Sequence, residues 1–222
     1  IGTCPRELWA YWKGIEPAGS GYRGSRIDQD GQIGAIDSDP ASEGHFHEAQ
    51  IKQKLLAAGW KLDEYEVEFM LAIGSDIRVI GHADMGSAIC PVTGTDYVGE
   101  IKTMGAKAFA SFLEDGWETV PTYPVQLSVA MLALKKPGIV WIKNRDNGKI
   151  LPPIVFDTPP VDRLTIMRKA LAIRASVIDG TVPPCGSYRK TTGVWCKFVQ
   201  LHDDEPAEFS PDAVVRPDLD EV

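Results

Sequence analysis

No apolar run in the chain approaches the roughly 20 residues that a membrane-spanning helix needs. The first residues also lack the charged-then-apolar pattern of a secretory signal, so a cytoplasmic location, or a nuclear one in a eukaryote, is expected. No internal repeat or linker breaks the chain, and 222 residues are enough for one sizeable core. Cysteine is scarce: Cys4, Cys90, Cys185 and Cys196 are the only four. In a cytoplasmic protein such thiols suit a metal site better than disulfides.

Basic residues are in deficit too, 23 against 31 acidic ones, for a formal charge of −8. Taken whole, that balance argues against a polyanionic partner. Its distribution changes the conclusion. From Asp203 to Val222 eight acidic residues face one arginine, Arg216, so the tail holds −7 and residues 1–202 hold −1. A local basic groove is compatible with that body, above all once cations neutralise an acidic site within it. The tail, residues 203–222, carries Pro206, Pro211 and Pro217 among its acids and reads as a disordered, solubilising end. A protein partner bound through the acidic tail is the sharper alternative.

What the chain does contain is two short stretches, Gly81-His82-Ala83-Asp84 and Gly99-Glu100-Ile101-Lys102. The β-branched run Ile77-Arg78-Val79-Ile80 reads as a strand that delivers Asp84 at its end, and Asp96 to Lys102 reads as a second strand after the turn-rich Cys90 to Thr95. Side chains alternate along a strand, so Glu100 and Lys102 share one face while Ile101 points into the core. Mg²⁺ or Mn²⁺ prefers hard oxygen ligands and keeps waters that can serve as nucleophile. Asp84, Glu100 and the Ile101 carbonyl offer such oxygens, and Lys102 offers a fixed cation to steady a phosphorane-like transition state. The pattern therefore suggests a metal-dependent phosphodiesterase. A Glu-x-Lys pair alone would be an ordinary surface ion pair.

The remaining elements follow from spacing. A helix begins at Pro5, with Trp9 and Trp12 expected toward the core. Glu16 to Pro40 lacks either period and reads as a loop. Ser42 to Gly59 reads as a helix with Ser42 as cap and Gly59 as stop. His47 shares its inner face with Ile51 and Leu55, which is the place of a satisfied core histidine or of a Mn²⁺ ligand. Strands are expected at Glu66–Ile73, joined to the Asp84 strand as a hairpin through Gly74-Ser75-Asp76, and at Ile139–Lys143 and Ile150–Phe156, with helices at Ala106–Asp115, Tyr123–Lys136 and Pro160–Ile178. Together they make an α/β protein with one mixed sheet among helices.

The ordered set Cys4-Pro5-Arg6, Gly44-x-x-His47-Glu48, Gly81-His82-x-Asp84, Glu100-x-Lys102 and Gln126 on the next helix resembles the RecB-like branch of the PD-(D/E)XK nuclease superfamily. Within it the chain is similar to the small exonucleases associated with CRISPR systems and carried by phages. The resemblance runs from Cys4 to about His202. It implies a restriction-endonuclease-like α/β core over residues 1–202, with a mixed β-sheet flanked by helices. It also implies a DNA exonuclease dependent on Mg²⁺ or Mn²⁺, acting on single strands or DNA ends in recombination, repair or DNA processing. His47, Asp84, Glu100 and the Ile101 carbonyl would bind the catalytic metal and Lys102 would be the catalytic lysine. Gln126 matches the first position of the family's Gln-x-x-x-Tyr motif, but Ala130 stands at its tyrosine, with Tyr123, one turn before Gln126 on the same helix, as a substitute. The alternative is a non-catalytic DNA-end-binding subunit, against which both carboxylates and Lys102 argue.

Family members with an iron–sulfur cluster place one cysteine before the nuclease core and three after it. Here Gly193 stands at the first position of the Cys-x-x-Cys pair ending at Cys196, and His202 stands where the final cysteine is expected. Cys4, Cys185, Cys196 and His202 would then join the chain ends through a [4Fe-4S] cluster or Zn²⁺. Decay of the cluster to buried thiols is the simpler alternative. Cys90 reads as a structural or free thiol.

Overall fold

A computed structural model describes residues 5–15, 40–62 and 66–183. Cys4, Cys185, Cys196 and His202 lie outside these residues, as do residues 16–39 of the expected loop and the acidic tail. The elements in chain order are helices α1 (Pro5–Trp12) and α2 (Pro40–Ala57), then strands β1 (Lys61–Leu62), β2 (Val67–Ile73), β3 (Ile77–Ala83), β4 (Met85–Ile89) and β5 (Asp96–Met104). Helix α3 (Ala106–Asp115), a 3₁₀ turn (Gly116–Thr119) and helix α4 (Thr122–Leu134) lead to strands β6 (Gly138–Asn144) and β7 (Ile154–Phe156) and to helix α5 (Arg163–Asp179). No helix among the described residues is long and apolar enough to cross a membrane.

The chain divides into two compact units. In one, α1 packs on α5: Trp9, Ala10 and Ile173 form a small core edged by Leu8, Ile15 and Val177. Trp9 Nε1 donates to the Ser176 carbonyl (3.2 Å), and the buried Arg6 donates through Nε to the Pro183 carbonyl (2.9 Å). Trp12, expected in the core beside Trp9, is 51% exposed. It is the last residue of a helix of two turns, and Ile15, whose N–H returns to the Ala10 carbonyl, takes the packing place instead.

In the other unit a five-stranded sheet has the order β1-β4-β5-β6-β7. Only β5 and β6 run parallel, joined through α3 and α4; the other pairs are antiparallel. Two helices sandwich this sheet. On one face, Ile51 and Leu55 of α2 pack with Met85, Tyr97, Ile101, Ile139 and Trp141. On the other lies α4, whose Leu127 and Met131 close over Gly138. The expected helix stop holds: Gly59 adopts φ +87°, a conformation other residues avoid.

β2 and β3 form the expected hairpin, in which Phe69, Leu71, Ile73 and Ile77 are buried and Glu68, Met70 and Arg78 are exposed. It is a separate two-stranded sheet that packs on α4, not part of one continuous sheet. Two further expectations shift. The strand expected at Ile150–Phe156 keeps only Ile154–Phe156, because Pro152 and Pro153 have no N–H for the ladder. Ile150 retains an isolated bridge to Lys143. Strand β4, unassigned from its Met-Gly-Ser-Ala-Ile sequence, is buried on both faces and so shows no alternation to read.

Candidate active site

The site is built where three backbone features meet. β3 ends at Ala83, and Asp84 occupies the bend before β4. Immediately after it the pairing of β4 with β5 shifts register between Met85 and Ala88. Such a bulge kinks a strand and re-aims its side chains. The bulge is fastened: Lys136 Nζ donates to the Gly86 carbonyl (2.9 Å) and pairs with Asp96 (2.7 Å), which also accepts from Ser87 Oγ (2.6 Å). Asp84 is thereby turned onto β5, where its Oδ2 accepts from the Ile101 N–H at 2.6 Å.

Glu100 and Lys102 flank Ile101 on β5, and alternation puts both on the face opposite it. Glu100 Oε2 meets Lys102 Nζ at 2.8 Å, and Glu100 is buried. Burial pushes the Glu100 carboxyl up to about 7; Lys102 pulls against this, while the Asp84 charge adds to it. Burial works to lower the Lys102 pKa, but Glu100 and Asp84 together hold it above the ordinary lysine value. The Lys102 ammonium also stands over the Tyr123 ring, 5.2 Å from its centroid, at the start of α4. Asp84, Glu100, Lys102 and the Ile101 backbone, expected together, are together.

Gln126 lies exposed on α4, whereas Ala130 is fully buried in it. Packing around the fully buried Ala130 has no room for a tyrosine ring, whereas Tyr123 stands by Lys102. Beyond Lys102 the chain enters an open cavity of about 620 Å³ lined by Lys107, Ser111, Asp115, Thr119, Arg145 and Asp146. Its two cations and two carboxylates cancel, so it shows no preference for an anion. Cys90 is a free thiol edging the α2-side core, its pKa lowered by hydrogen bonds from Thr93 and Val92.

His47 is placed differently. Lys143 pairs in register with Thr103, which puts it on the Ile101 and Trp141 face, beneath α2. There Lys143 Nζ lies 3.0 Å from His47 Nδ1 and donates to Gln50 Oε1 at 2.5 Å. Burial, with the nearby Lys54 charge, holds the Lys143 pKa below the ordinary value. Among the described residues no group of three or more His, Cys, Asp or Glu side chains converges as a metal site. Sequence reasoning passed over Lys143 and Gln50. The available signal was a lysine in phase with Ile139 and Trp141, on the buried face of an otherwise apolar strand.

The fold is mixed α/β, a five-stranded mixed sheet between helices. No protein-family model matches the chain, and no curated protein matches it. A solved structure described as the crystal structure of SSO0001 is similar to it at a TM-score of 0.48 and 20% identity, over 82% of this chain and 74% of that one.

Proposed function

We propose that this chain is a divalent-metal-dependent deoxyribonuclease with a PD-(D/E)XK active site made of Asp84, Glu100 and Lys102, an exonuclease acting on single strands or DNA ends. One observation carries the reading: a buried Glu100 set against Asp84, with Lys102, 2.8 Å from Glu100, the single cation paired with it among the described residues. Such a site is short of positive charge, and a hard divalent cation is the group that the donor set fits. Asp84, Glu100 and the Ile101 carbonyl would hold it. When bound, Mg²⁺ or Mn²⁺ would supply Lewis acidity toward a phosphate oxygen and toward water. Lys102, fixed between Glu100 and Tyr123, places a cation where charge develops on the phosphate during hydrolysis, a contribution of several kcal/mol as a rough figure. Gln126, on the exposed side of α4, is available to the substrate strand. The choice of DNA, and of exonuclease over endonuclease, rests on the resemblance of the ordered motif set.

The test is a cleavage assay on end-labelled single- and double-stranded oligonucleotides. Product is expected with Mg²⁺ or Mn²⁺, none in EDTA, and none from folded Asp84→Ala or Lys102→Ala. Wild-type turnover by Lys102→Ala would overturn the assignment.

A further inference from the structure

His47, Gln50 and Lys143 form a constellation that the reaction outlined above does not use: Lys143 is buried, and His47 and Gln50 are half-buried over it. Lys143 is 3% exposed, and among the described residues its side-chain hydrogen-bond partners are His47 and Gln50, neither of them a carboxylate. A buried ammonium is costly unless its donors are used. A charged Lys143 has three donors and no lone pair, so against it Nδ1 of His47 accepts. The imidazole proton then sits on Nε2. A ring in that state has no lone pair left for a metal: one nitrogen is spent on Lys143 and the other carries hydrogen. The sheet adds a second argument, since Lys143 lies on the face opposite Glu100 and Lys102.

Next to this ring stands Phe46, 61% exposed, its plane edge-on to His47 at 5.6 Å between centroids. An N–H donor backed by a buried cation suits a phosphate oxygen, and an exposed aromatic face suits a base. Lys143 pairs with Thr103, one step beyond Lys102 along β5, so the constellation lies at the same end of the β5–β6 pair as the catalytic lysine.

We propose that Phe46 and His47, with His47 positioned by Lys143 and Gln50, form a nucleotide-binding site: His47 Nε2–H donates to a phosphate oxygen of the substrate strand, Phe46 stacks on a base, and His47 is not a donor to the divalent cation. The inference rests on the reading of this chain as a nuclease for the identity of the strand, but not for the state of the ring.

Three measurements on the full chain test it. A long-range ¹H–¹⁵N spectrum of metal-free protein should show His47 as the Nε2–H tautomer, unmoved by Mg²⁺; an Nδ1–H ring would overturn the proposal. Mn²⁺ titration followed by electron paramagnetic resonance should give His47→Ala the wild-type affinity, and an equal loss in His47→Ala and Asp84→Asn would also overturn it. Anisotropy of a fluorescein-labelled oligodeoxythymidylate in EDTA should show affinity falling about tenfold in Phe46→Ala and in His47→Ala. Phe46 is exposed, so its replacement leaves folding intact, and unchanged affinity in that variant would refute the stacking role. If Asp84→Asn keeps full Mn²⁺ affinity, the nuclease reading fails while the ring state still decides His47.

Discussion

Asp84 Oδ2 accepts a 2.6 Å hydrogen bond from the backbone N–H of Ile101, a residue 17 positions later in the chain. One carboxylate thus fixes the end of the Asp84 bend to the strand that carries Glu100 and Lys102. Its charge and its hydrogen bond are separable. Asp84→Asn keeps an oxygen that can accept from Ile101 but removes the charge, whereas Asp84→Ala removes both and leaves the N–H unsatisfied. Both substitutions should abolish cleavage. Only Asp84→Ala should also lose stability, by about 1–3 kcal/mol in chemical denaturation. Equal stability losses would mean that the bond contributes nothing to holding the bend.

Glu100 makes the metal-free protein pH-sensitive in the direction opposite to a salt-bridged carboxylate with a depressed pKa. Its ordinary value is 4.5 and its folded value about 7. Between those limits the folded state keeps a proton that the unfolded state has released, so the proton's contribution is complete below 4.5 and is lost as pH rises through about 7. The gap corresponds to about 3 kcal/mol. Glu100→Gln, neutral throughout, should match wild type at low pH and exceed it by an amount of this order at about pH 8 in EDTA. A pH-independent difference between the two proteins would refute the buried, raised carboxyl.

The parts of this site that lie along one strand were legible in the sequence. Alternation alone put Glu100 and Lys102 on one face, and the apolar run ending in Gly-His-Ala-Asp put Asp84 at a strand end. The hairpin and α3 were legible for the same reason, since their periods are complete within each segment. What escaped was non-local. The register shift after Asp84 depends on Lys136 and Asp96, which reach it from the end of α4 and the start of β5. The partner of His47 lies 96 residues away. Trp12 failed because amphipathic spacing does not say where a short helix ends.

Tyr123 should act through its ring. The Lys102 ammonium lies over it at 5.2 Å, and a partly buried cation–π contact is worth about 0.5–2 kcal/mol. Tyr123→Phe keeps the face and should leave the cleavage rate within about twofold, whereas Tyr123→Ala frees the lysine and should slow cleavage by up to about tenfold. Single-turnover rates compare them. If Phe is as damaging as Ala, the hydroxyl is the active part and the contact with Lys102 is incidental.

Gly86 offers the strictest test of how the site is held, because it lies in the bulge two residues after Asp84. A Cβ built there would come within 2.5 Å of Val67 Cγ2 and 2.9 Å of Val67 Cβ. Val67 is β-branched and stiff, so it cannot turn aside cheaply. Gly86→Ala must therefore push the β2–β3 hairpin and the start of β4 apart. Overpacking of this kind costs about 1–3 kcal/mol. Because the displaced strand begins at Met85, Asp84 should move with it, and cleavage should fall together with stability. Adding Val67→Ala removes the clashing methyls, so the double variant should recover part of both losses, a non-additivity read from the double-mutant cycle. Wild-type stability and rate in Gly86→Ala would show that the bulge gives way freely, and that Asp84 is not held in place by its backbone.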